Sequence, residues 1–240
     1  NVSRMPGKPF VPESPEGKQM VADLQLEQGA VGLLKWISTQ SESGAALAKD
    51  LAKFPNLLSL IDTRLMEMPG EGRTWSSMNG RTQIDLNPAL FWGDMNPQAV
   101  KVSLHELLHG LTKREIARPE NASIKAELED SRQRLAEQLP TNLRDLYNDA
   151  IRTKWLERYA RDDSSANINQ LGKTFADQEI VYGLLNSDEM ISQNFSSEAF
   201  RNFARSKKGK DGQTFYNRFT NFVKSLFGLS AQGSTAFDEI

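Results

Sequence analysis

The stretch Val102–Thr112, VSLHELLHGLT, decides how the rest of the chain is read. It holds His105, Glu106 and His109 in an HExxH arrangement, and the chain has only these 2 histidines. Histidines four apart on a helix stand one turn apart on the same face, so both imidazoles can reach one metal ion. Glu106 lies beside them, placed to hold and deprotonate a water at that metal. These residue types at this spacing are the pattern of a zinc-dependent peptidase. The competing reading is a polar helix face whose histidines bond only to neighbours.

Working outward, the pattern predicts a helix with Pro97 near its start that runs to about Arg118, where Pro119 ends it. Its buried side is Val100, Val102, Leu104, Leu107, Leu108 and Leu111. Upstream, alternation from Ser59 within Leu57–Met68 predicts a strand. Asn79-Gly80 is a two-residue hairpin signal, followed by alternation over Arg81–Asn87. A strand so close before an HExxH helix could pair its free edge with an extended peptide and hold it across the metal.

The N-terminal segment carries Pro6, Pro9, Pro12 and Pro15, so residues 1–15 read as an extended arm. From Glu16 to Phe54 the apolar spacing is helical, including the short segment AALAKDLAKF. Downstream, Asn121–Leu139 and Asn142–Tyr159 read as two helices separated by Pro140. Their charge fits solvated outer faces, and the pair, 121–159, reads as an insertion or docking surface without chemistry of its own. Two short helices follow, split near Asn186 with Ser187 as capping residue. A third covers about Ser197–Arg205, and a last one, Thr214–Phe227, lines up Phe215, Phe219 and Phe222 as core. The fold class is therefore α+β and predominantly helical, with a small antiparallel sheet or hairpin before the motif helix and a helical C-terminal part. One domain over 16–228 and a loose tail over 229–240 complete the expectation.

Composition narrows the function. With 240 residues the chain can bury a substantial core. Its 29 basic and 31 acidic residues give a net charge of −2, which argues against a general nucleic-acid or membrane-surface binder. Cys 0 excludes thiolate zinc sites and cysteine nucleophiles. No apolar run approaches the roughly 20 residues of a membrane span, and NVSRMPGKPF is no signal segment. The absence of an initiator Met suggests a region cut from a longer polypeptide.

A catalytic zinc takes three protein ligands and keeps one position open. With both histidines used and no cysteine, the third ligand must be Asp or Glu. Glu115 is nearest, but a compact site would need the chain to turn at the position of Thr112. If the helix continues, Glu115 lies about 240° round the axis from His109 and faces away. Glu189, at the head of a short helix, is better placed, with Gln193 one turn later to orient a ligating histidine. Glu179, Glu198 and Asp188 stay open, because spacing alone does not separate them.

LHELLHGLT, followed by helical segments and then YGLLNSDEMISQNF, resembles the zincin-like metallopeptidase domains of very large phage and mobile-element polyvalent proteins. Those domains share HE-x-x-H-A-L-T and, much later, Y-x-L-x-N-x-D-E-F-I-A-E-A-F. The likeness covers roughly residues 80–205 and is strongest at its two ends. It implies a zincin-like (gluzincin-type) fold, with His105, His109 and Glu189 as zinc ligands and Glu106 as catalytic base. It also implies an embedded domain of viral or mobile-element origin, virion-associated and delivered to host cytoplasm, acting on a polypeptide substrate or on other segments of its parent. The chain departs from the pattern at Gln193, where the family commonly has Glu, and at Met190 for Phe. Gln193 can still orient a histidine but lacks the charge. Tyr182, in the YGLLN stretch, is the candidate donor to a tetrahedral oxyanion. The runner-up function is a zincin-shaped structural or docking module that binds metal with little turnover, a reading favoured by Gln193 and the charged helix pair.

Overall fold

Alternation over Ile61-Asp62-Thr63-Arg64-Leu65 and Thr82-Gln83-Ile84-Asp85-Leu86 sends one set of side chains to each side of a sheet. The computed structural model describes residues 29–40, 49–68, 70–76, 81–91, 96–161 and 165–228. The extended arm, the helical reading of 16–28, part of AALAKDLAKF, the Asn79-Gly80 turn and the tail lie outside the described residues. The chain divides into two compact units, the first ending at Leu111 and the second beginning at Thr112.

In the first unit, helix α1 (Ala30–Gln40) and the short α2 (Pro55–Leu58) precede strands β1 (Ile61–Leu65), β2 (Gly72–Ser76) and β3 (Thr82–Leu86). The order is β1-β3-β2, with β3 antiparallel to β2 in the register Ser76↔Thr82 and parallel to β1 in the register Ile61↔Thr82. The sheet is thus mixed, which corrects the expectation of an antiparallel one. Side-chain alternation reports which face a residue occupies but not the direction of the neighbouring strand. The parallel ladder is closed at both ends, by Thr82 N–H donating to Leu60 O (2.9 Å) and Met66 N–H to Leu86 O (2.9 Å).

One face of this sheet meets helix α3 (Asn96–Ile116), which carries the HExxH motif. At Gly110 a Cβ would lie 3.2 Å from Ile61 Cδ1 and 3.5 Å from Ile84 Cδ1, so the helix backbone rests close on β1 and β3. At the entry to α1, Gly29 has φ +73° and its missing Cβ would fall 2.4 Å from Ile61 O, a place only glycine fills. The opposite face carries Arg64, Asp85 and Arg73 in one row. Asp85 is fully buried and accepts from Arg64 Nε (2.5 Å), Arg73 Nε (2.8 Å) and Trp75 Nε1 (3.0 Å). Burial alone would raise its pKa, but these three donors hold the carboxyl below its ordinary value.

The second unit is helical: α4 (Ala122–Ala136), α5 (Thr141–Arg152), α6 (Trp155–Tyr159), α7 (Phe175–Gly183), α8 (Ser187–Ser196), α9 (Glu198–Ser206) and α10 (Phe215–Leu226). Helices α7, α8 and α9 pack on one another, and α4 and α8 pack against α10. Leu128, Leu135, Met190, Phe195, Phe215 and Phe219 are buried there. The segment read as one helix over Asn142–Tyr159 is broken at Lys154, whose φ of 50° is left-handed. That break turns Trp155 inward, where its Nε1 donates to Gln170 Oε1 at 2.9 Å. The α+β, mostly helical architecture otherwise follows the sequence reading.

Candidate metal centre

Helix α3 continues through Thr112 without turning, so both histidines stay on one uninterrupted face. Their Nε2 atoms are 3.0 Å apart, with the rings at 78° to each other. Two nitrogens each about 2.0–2.1 Å from one tetrahedral zinc would be separated by roughly 3.3 Å, so the pair is nearly at ligating distance. His109 is buried and His105 half-buried. One ligand atom from each of His105, His109 and Glu189 lies within 4.8 Å of the other two, and this group could hold a metal ion. The donor set is two imidazoles and one carboxylate, which fits zinc with an open position.

Glu106 is buried and held from β2. Thr74 Oγ1 donates to Glu106 Oε2 at 2.6 Å and lies 3.0 Å from the Glu106 carbonyl oxygen. Gly72, two residues earlier and so on the same sheet face, leaves room for this side chain. A Cβ there would stand 2.9 Å from both Glu106 Cγ and Val102 Cγ1. The expected substrate edge needs correction: the strand over Arg81–Asn87 is β3, which is bonded on both sides. Edge pairing in this sheet would fall to β1 or β2.

Glu189 occupies the first turn of α8 and is half-buried. The cap of that helix is Asn186, whose Oδ1 accepts from Glu189 N–H at 2.8 Å. Ser187, expected in that role, instead donates to Glu129 Oε2 at 2.7 Å. Gln193 follows one turn after Glu189, buried, with Oε1 lacking a hydrogen-bond partner among the described residues. A buried orphan acceptor is costly, which marks this amide as poised for a donor.

The remaining acids have other surroundings. Glu115 is buried and ion-paired to Arg118 at 3.0 Å. Glu179 Oε2 accepts from Ser197 Oγ at 2.7 Å, tying α7 to the start of α9. Glu198 is exposed, and Asp188 lies in the first turn of α8 without joining the metal-capable group. Tyr182 is half-buried, its ring edge-on to Trp155 (6.2 Å) and Tyr159 (6.4 Å).

The sequence did not reveal Thr74 and Gly72 beside Glu106, or Glu129 as the acceptor for Ser187. Nothing local flags them, because their partners are 32 and 58 residues away for Thr74–Glu106 and Ser187–Glu129. Comparison with protein-family models, with curated proteins and with solved structures gives no match.

Proposed function

We propose that this chain is a zinc-dependent metallopeptidase of the zincin-like kind, with His105, His109 and Glu189 as ligands and Glu106 as general base. The observation that carries the reading is the approach of two imidazole nitrogens and one carboxylate to within 4.8 Å, one residue from a buried glutamate. Zinc held there would supply Lewis acidity, which acidifies water and polarises a scissile carbonyl. Thr74 engages Glu106 Oε2, leaving Oε1 to take a proton from the attacking water and return it to the leaving amine. Tyr182, whose ring meets the stacked Trp155 and Tyr159 rings edge-on, is the proposed donor toward the developing oxyanion.

The substrate is a polypeptide, a class that suits general-base attack on an amide carbonyl. Among the described residues no helix is long and apolar enough to cross a membrane. The proposed setting is a domain of a larger phage or mobile-element protein, on the likeness of YGLLNSDEMISQNF to those domains. Metal analysis paired with digestion of a broad peptide library tests the proposal. One equivalent of zinc with cleavage that fails in Glu106→Gln is the expected result. Zinc without cleavage of any peptide would favour the docking module, which Gln193 in place of the family's Glu already suggests.

A further inference from the structure

The corner between α7 and α8 is held from α4. Arg132 on α4 is buried and donates through Nη1 to Leu184 O (2.5 Å) and Tyr147 Oη (2.8 Å). Its other nitrogens engage Glu129, with Nε to Oε2 at 2.9 Å. Glu129 in turn accepts from Ser187 Oγ and from Gln133 Nε2. The hydrogen bond from Arg132, with smaller help from Ser187, pulls the Glu129 pKa down to about 2 against the opposing effect of burial. The carboxylate is therefore ionised at neutral pH, and its bonds are charge-assisted. The chain is gripped at the carbonyl of Leu184 and the hydroxyl of Ser187, with Asn186 between them capping the Glu189 amide.

We infer that Glu129 and Arg132 are positioning residues for the metal ligand Glu189, fixing the first turn of α8 through Ser187 and Leu184. The inference rests on Glu189 being a ligand, as proposed above. Charged helix residues are ordinarily solvated, yet Arg132 is only 8% exposed and its fork is spent on one backbone carbonyl, one phenol and one carboxylate. An outer partner bonded directly to a metal ligand typically changes affinity 10–100-fold when removed, and Glu129 and Arg132 act one step further out, so the low end of that range is expected.

The test is zinc affinity of the full chain, measured by competition with a chromophoric chelator, alongside the melting temperature of the metal-free protein. Ser187→Ala is expected to weaken zinc binding about tenfold while the metal-free melting temperature stays close to that of the parent. Glu129→Gln should weaken zinc binding about as much and also lower the metal-free melting temperature, because the buried Arg132 loses its carboxylate partner. Ser187→Thr, which keeps the hydroxyl, should restore affinity. Zinc affinity within twofold of the parent in both Ser187→Ala and Glu129→Gln would overturn the inference and leave the metal centre standing. Failure of the unmodified chain to bind zinc, or binding unaffected by Glu189→Gln, would overturn both.

Discussion

Asp85 and Glu129 are two carboxylates in similar company, each tied to arginine, yet they stand in different places. Asp85 is fully buried in the central strand, and its three donors come from the neighbouring strands β1 and β2. Its row faces away from the sheet side that meets the HExxH helix. Glu129 is part-exposed, and its reach ends at Ser187, two residues before the candidate ligand. The same ion-pair chemistry therefore serves sheet architecture in one case and, in the role proposed above, placement of a ligand in the other. What separates the two roles is the element each carboxylate restrains.

Glu106 gives the largest effect and a third behaviour. Glu106→Gln should lower kcat roughly 10²–10⁴-fold while zinc content and unfolding free energy stay near those of the parent. Peptide turnover with parallel metal analysis checks it; full activity in the variant would remove Glu106 from the chemistry.

Asp85→Asn should cost about 2–3 kcal/mol in urea unfolding at pH 7 and leave zinc affinity unchanged. Removing one partner of a buried pair is costly, but Arg64 and Arg73 retain access to water, which moderates the loss. A drop in zinc affinity without loss of stability would reverse the assignment of Asp85 to architecture.

The pH dependence follows from the same two groups. Both folded-state carboxyls are lowered, so the stability they contribute is present above the ordinary carboxylate range and is lost as pH falls. For Glu129 the window runs from 4.5 down to about 2. The destabilisation by Asp85→Asn should accordingly shrink between pH 7 and pH 3. An unchanged difference would mean that Asp85 contributes no charge-dependent stability.

Thr74→Val removes the donor to Glu106 Oε2 and should reduce kcat roughly tenfold with KM little changed, while Thr74→Ser retains most activity. Equal loss in both variants would point to packing of the methyl group instead. The smallest effect is expected at Gly110. Gly110→Ala should change unfolding free energy by less than about 1 kcal/mol, because helix propensity gains what a 3.2 Å approach to Ile61 Cδ1 takes away. A larger loss would show that the helix cannot shift on the sheet.

The parts of this picture that a linear reading can reach are those encoded within one turn of one element. His105, Glu106 and His109 lie within a single stretch of helix, so spacing alone brings the rings together. For Glu189 the sequence is less decisive: it favours this acid while leaving Glu179, Glu198 and Asp188 open, and of these four only Glu189 joins the metal-capable group among the described residues. Thr74 and Glu129 were out of reach because each acts across the tertiary fold on a residue distant in sequence. Arg132 misled for a related reason, since a charge on an amphipathic helix reads as solvated until its partners are known. Strand direction failed similarly: β1 and β3 have the alternation of any strand pair, and their parallel register depends on where β2 returns.

The most direct measurement is anomalous diffraction at the zinc edge from zinc-soaked crystals of the full chain. The account predicts one peak about 2.0–2.2 Å from His105 Nε2, His109 Nε2 and a Glu189 carboxylate oxygen. A fully ordered zinc bound by the two histidines with Glu189 turned away, or no peak at these rings, would contradict it.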